Sequence, residues 1–176
     1  MFSKPHQIDS EGELYDAATR ILMRRAHSVH EMKQALKRRC EDDSLIQKVL
    51  GRLKQSGLID DARYAKQFTR QRTEIRRQGR FRIARDLRAR GVPDRHIDSA
   101  LDASADPEAE RAIIRQRLER KLKSLRGHKS VDKVDDRKIA SMYRSLLRAG
   151  FPSDAIRREL KLLTREEVPE VEAGQE

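Results

Sequence analysis

The sequence predicts an all-α protein: three tandem three-helix repeats forming an elongated, curved, solenoid-like array. Three observations carry that reading. Apolar residues recur at helical spacing along most of the 176 residues. A fifteen-residue corner is written twice, LRARGVPDRHIDSAL at residues 87–101 and LLRAGFPSDAIRREL at residues 146–160. Finally, charged residues make up 39% of the chain and aromatics only 4%. That composition argues against one large core and for small amphipathic units that share cores with their neighbours. A compact nine-helix globule is the competing architecture.

The elements follow in order. Leu14, Ala17, Ala18, Ile21 and Leu22 mark a first helix ending near Arg25. Ser28 caps a short second helix carrying Met32 and Leu36, and Glu31 three residues on completes a capping box. A weak copy of the corner, LKRRCEDDSLIQKVL at residues 36–50, aligns Leu36, Ile46 and Leu50 with Leu87, Ile97 and Leu101. It places Asp43 at the N-cap position of Asp94 and Ser153. Cys40 and Glu41 stand where the other copies have glycine and an apolar residue, which predicts a looser helix end. In the second repeat, Asp60 or Asp61 caps a helix bearing Tyr64, Ala65 and Phe68. Gly79 breaks that helix, and Ile83 and Leu87 continue on the next one.

At the strong corners, Gly91 and Gly150 supply left-handed geometry after a helix, and Val92 or Phe151 packs back on it. Pro93 or Pro152 then stops the chain from continuing as helix. In the third repeat Asp106 is the N-cap and Pro107 the first helical residue, ahead of Ile113, Ile114, Leu118, Leu122 and Leu125. A polar loop follows, then a helix with Ile139, Met142, Leu146 and Leu147. The expected boundaries are an extension over 1–13, repeats over 14–57, 58–104 and 105–163, and an acidic, disordered tail over 164–176.

Net charge is +11, which selects for a polyanion or an acidic protein surface as partner. Residues 63–90 carry eleven basic side chains against Glu74 and Asp86, and residues 111–129 carry eight against Glu119. The densest stretch, RQRTEIRRQGRFR at 70–82, holds six arginines around Gly79. Arginine at that density repels itself unless an anion approaches, and its planar fork suits phosphate and carboxylate equally. Arg70, Arg72, Arg76, Arg77, Arg80, Arg82, Arg117 and Lys121 are therefore the candidate contacts, weighed against a merely solvated helix face.

Phosphate loops, nucleophile elbows and zinc spacings are all missing from the sequence. No catalytic, metal-binding or cofactor-binding residue is accordingly expected, and the chain reads as a binder. His27 and His30 read as surface residues, Asp60 and Asp61 as caps, and Tyr64 with Phe68 as core ahead of base stacking. The single Cys40 excludes an internal disulfide and fits a reducing compartment. No run approaches transmembrane length, and MFSKPHQIDSEGEL lacks a signal-peptide core, so a monomeric cytoplasmic protein without membrane contact is expected.

GLIDDARYAKQF at residues 57–68, Arg72, Gly79 and RIARDLRARGV together resemble the RecX regulatory proteins of bacteria. So do the opening AATRILMRRAHSVHEMKQALKRR and the ending LLRAGFPSDAIRREL. The resemblance spans about residues 14–163. Its one departure is Arg39-Cys40, where the first repeat usually ends in a basic residue and glycine. The resemblance implies a three-repeat helical protein that lies along the RecA recombinase filament on single-stranded DNA. It further implies restraint of ATP hydrolysis, strand exchange and co-protease activity, and carries over no catalytic residue. The rival reading is a basic helical protein that binds DNA or RNA directly, with a ribosome-associated scaffold as a third class.

Overall fold

The computed structural model describes residues 7–126 and 136–164. Among them the secondary structure is helical throughout: α1 (Glu11–Leu22), α2 (Val29–Lys37), α3 (Asp43–Gln55), α4 (Asp61–Glu74), α5 (Arg80–Arg88), α6 (Asp94–Ala103), α7 (Pro107–Arg126), α8 (Asp136–Arg148) and α9 (Ser153–Thr164). The all-α, three-helix character expected from periodicity is present. The acidic tail lies, apart from Thr164, outside the described residues, as does most of the polar loop after α7.

The chain divides into two compact units, residues 1–70 with 84–103 and residues 71–83 with 104–176. In the first unit α1 and α2 pack on α3. Leu14, Ala18, Met32, Leu36, Ile46, Val49, Leu50 and Leu53 close the core there. In the second unit α7 and α8 pack on α9 around Ile114, Leu118, Ile139, Tyr143, Leu146, Phe151, Ile156 and Leu160. All nine residues that align the three corners are buried: Leu36, Ile46, Leu50, Leu87, Ile97, Leu101, Leu146, Ile156 and Leu160.

The strong corners close as Schellman motifs. Gly91 N–H bonds Arg88 O at 2.8 Å and Val92 N–H bonds Leu87 O at 3.2 Å, with Gly91 at φ 69°. Gly150, at φ 88°, repeats the pattern through Leu147 O and Leu146 O. The first corner ends differently. Cys40 does not have positive φ, and its N–H returns to Leu36 O at 3.0 Å. Its side chain is 3% exposed and belongs to the core, so this helix end is closed by burial and is not loose.

The N-cap register needs a correction by one residue. Asp42 caps α3, accepting from Ser44 and Leu45 N–H, and Asp43 is the first helical residue. Ile97 N–H bonds Pro93 O and Ile156 N–H bonds Pro152 O, so both prolines hold the cap position and Asp94 and Ser153 follow inside the helix. Freed from capping, Asp94 pairs with Arg88 at 2.7 Å. The capping box of Ser28 and Glu31 forms as expected, and Asp60 caps α4 through Ala62 and Arg63 N–H. Asp61 instead accepts Val29 N–H at 2.9 Å, tying α4 to the start of α2. Asp106 caps α7 through Ala109 N–H.

The reason for the repeated corner lies in what touches it. Ser28 Oγ, at the start of α2, donates to Arg90 O at 2.6 Å, and a Cβ on Gly91 would lie 2.4 Å from His30 Cβ. In the second unit Gly79 N–H donates to Ala149 O at 2.9 Å and Phe81 N–H to Gly150 O at 3.0 Å. A Cβ on Gly150 would lie 2.3 Å from Arg82 N. The glycine corner of one repeat is thus the seat for the helix start of the repeat before it. At the first corner the equivalent carbonyl, Arg39 O, accepts Ile8 N–H at 2.8 Å, and Gln7 Nε2 donates to Glu41.

Candidate interaction surface

The arginine-rich segment is built around the joint just described. α4 ends at Glu74, Arg76 and Arg77 turn the chain, and Gly79 delivers α5 onto the corner at Gly150. Arg77 adopts φ 50°, the one positive φ outside glycine among the described residues. That turn is held from α7: Arg117 Nη2 donates to Arg77 O at 2.9 Å and more weakly to Arg76 O. The Arg77 guanidinium returns the contact to Gln116 Oε1. Arg117 also lies over the Phe151 ring, 5.4 Å from its centroid.

This packing crowds like charges. Burial, and then the positive fields of Arg120, Arg77 and Arg82, lower the Arg117 pKa from its ordinary value. No carboxylate figures among the causes. Of the predicted contacts, the structure therefore brings Arg77, Arg82 and Arg117 into one cluster in the second unit, with Arg76 joined to it through its backbone carbonyl. Lys121 lines a cavity beside Arg117 and Arg120. Arg80 opens α5 and acts electrostatically on Glu110 of α7. Arg72 is half-buried with its carbonyl accepting Gln78 N–H. Arg70 lies exposed on α4 and belongs to the first unit.

Sequence reasoning missed three residues of this segment and its surroundings, Arg120, Phe81 and Ile75. Arg120 joins through its position three residues beyond Arg117, one turn along the same helix face, a spacing that was readable. Phe81 is 61% exposed and Ile75 is 73% exposed. Phe81 stands two residues before Ile83, off the Ile83–Leu87 stripe, which marks it as an outward-facing aromatic between two arginines.

The other singled-out residues settle into structural roles. Tyr64 is buried and donates from its hydroxyl to Glu31 at 3.3 Å, while Phe68 is half-buried beneath the Arg90 guanidinium. Glu31 gathers Arg25, Arg90 and Ser28 N–H. His27 bonds Arg25 O, and burial lowers its pKa. No group of three or more His, Cys, Asp or Glu able to hold a metal ion occurs among the described residues. Nor is any described helix long and apolar enough to cross a membrane.

A helical protein of tandem three-helix units, jointed at glycine corners and presenting a crowded cationic surface, is the class these features define. Residues 15–53 match the first three-helix domain of RecX and residues 60–101 match the second. The regulatory protein RecX of Halorhodospira halophila is 40% identical over 143 residues, covering 81% of this chain and 83% of that protein. That of Chlorobaculum tepidum is 32% identical over 152 residues, covering 86% and 89%. The chain belongs to the RecX family of regulatory proteins. The crystal structure of RecX from Lactobacillus salivarius shares the fold, with a TM-score of 0.74 at 23% identity over 87% of this chain and 96% of that one.

Proposed function

We propose that this protein binds the RecA recombinase filament on single-stranded DNA and modulates it, mainly by inhibiting ATP hydrolysis, strand exchange and co-protease activity. On this reading it acts in the cytoplasm as a monomer and performs no chemistry of its own. Family membership supports a regulatory role. The observation that carries the contact is the crowding of Arg77, Arg82 and Arg120 on Arg117, a repulsion that an anionic partner relieves. Repeated small units also suit a partner made of identical subunits, because several modest contacts then add as avidity.

Phe81 favours a second reading. An exposed aromatic between Arg80 and Arg82 is also a platform for a nucleobase with phosphates on either side. One experiment separates the two. Wild type is expected to slow a cognate RecA's DNA-dependent ATP hydrolysis well below the concentration that coats naked DNA. The triple variant Arg76→Glu, Arg77→Glu, Arg80→Glu should retain helical content, inhibit far less, and show a salt slope smaller by about one per lost phosphate contact. Inhibition by wild type only at saturation of bare DNA makes direct nucleic-acid binding the better account. Undiminished inhibition by the triple variant reduces the cluster to a solvated face.

A further inference from the structure

We propose that the cavity between α7 and α8 seats a single apolar side chain presented by an acidic protein segment. The inference deepens the filament reading by naming what the partner offers, and it rests on that reading only for the partner being a protein. The cavity measures about 210 Å³ and lies wholly within the second unit. That is room for one large side chain and too little for a packed element.

Its lining has two parts. Leu118, Met142 and Leu146 form an apolar floor, and Met142 supplies the soft, adaptable surface that accepts differently shaped side chains. Arg117, Arg120 and Lys121 form the rim. They stand at i, i+3 and i+4 on α7, hence on one face. Arg117 is committed to the backbone carbonyls of Arg76 and Arg77. Arg120 and Lys121 have no carboxylate partner among the described residues. An occupant must therefore bring an apolar group for the floor and negative charge for the rim.

A nucleotide meets the second requirement and fails the first. The lining contains no aromatic face for stacking, and Ser145 Oγ is its single neutral hydrogen-bonding side chain, insufficient to read a base edge. A leucine or similar residue flanked by glutamate or aspartate meets both. Side chains of opposite charge at matching helical spacing then meet Arg120 and Lys121 while the apolar group is desolvated.

The full chain carries four methionines, so methyl-labelled Met142 gives a resolvable reporter inside the cavity. The probe is a short glutamate-rich peptide with one central leucine, titrated by NMR. The Met142 methyl is expected to shift, and the same peptide with alanine for leucine should need about tenfold more to reach half-saturation. Ser145→Phe, which plugs the mouth from a half-buried position, should abolish the shift. Arg120→Glu with Lys121→Glu should weaken it at low salt, and this pair remains informative should the phenylalanine variant fail to fold. An equal Met142 response to short oligothymidylate overturns the proposal in favour of nucleic acid. A Met142 shift on converting the glutamates of residues 165–176 to glutamine, with no probe present, overturns it in favour of the chain's own tail. No response to the leucine peptide, or equal affinity for the alanine peptide, also overturns it. No recombinase is present in the titration, so a failure here is distinct from a failure to slow ATP hydrolysis.

Discussion

Gly79→Ala tests the joint between helix start and glycine corner most directly. Gly79 is buried and needs no left-handed φ, so its requirement is one of space alone. A Cβ there would lie 2.2 Å from Gly150 O and 2.5 Å from Phe151 N, where ordinary contact begins at 3.4 Å. The two backbones must part by about 1 Å. That movement breaks the bonds from Gly79 N–H to Ala149 O and from Phe81 N–H to Gly150 O. Leaving such buried groups unpaired costs about 1–3 kcal/mol each. The reduced freedom of alanine in the unfolded chain returns about 0.4–1 kcal/mol. The net loss is on the order of 3 kcal/mol. Gly57→Ala is the control, because Gly57 has φ 67° and nothing within 4 Å of its added Cβ. It should cost only the left-handed penalty of about 1–2 kcal/mol. Urea denaturation gives the stabilities, and exchange of the Phe81 amide locates the damage. Its protection should collapse in Gly79→Ala and persist in Gly57→Ala. An unchanged Phe81 amide, or a Gly79→Ala loss no larger than that of the control, refutes the joint.

Two further outcomes follow from the first unit. Cys40→Gly should lower the denaturation midpoint, by about 1–2 kcal/mol in stability, because it empties a core position and adds unfolded freedom without relieving any left-handed strain; a raised midpoint would mean that this corner takes the geometry of the other two. Burial is the largest influence on Glu31 and opposes ionisation, yet hydrogen bonds from Arg25 and Ser28 N–H and the charges of Arg25 and Arg90 outweigh it and leave the pKa lowered. A depressed folded-state pKa gives stability that is full above the unfolded value near 4.5 and is lost as pH falls through the folded one. Glu31→Gln should therefore flatten the acid limb of a stability–pH curve below about pH 4.5, and an unchanged limb assigns that loss to other carboxylates.

What was legible in the sequence was local. The two glycine corners, the apolar stripes among the described residues and the Ser28 capping box depend on residues within a few turns of one another, and these formed. At α6 and α9 the N-cap lies one residue earlier than the pattern suggests, because a proline that stops the preceding chain still offers its carbonyl to the first helical bond, and at α3 Asp42 caps in place of its neighbour Asp43. The joints were invisible for another reason. Ser28 meets Arg90 across 62 residues, and no pattern in either segment names the other. The candidate surface divides in the same way. Counting charge found the arginines, but their convergence on Arg117 depends on a turn 40 residues away from it in sequence.

The joint has a direction, and that bears on how such a chain grows by duplication. The second repeat carries both a seat, its corner carbonyl and glycine, and a plug, the helix start that fills the seat of the repeat after it. In the first repeat the seat is filled already, by Ile8 and Gln7, and Cys40 and Glu41 stand where the other corners have a glycine and an apolar residue. A gene copy inserted upstream would find no seat to plug. Glycine at a corner thus marks a seat that takes a helix start, as at Gly91 and Gly150, and Cys40 marks one that does not.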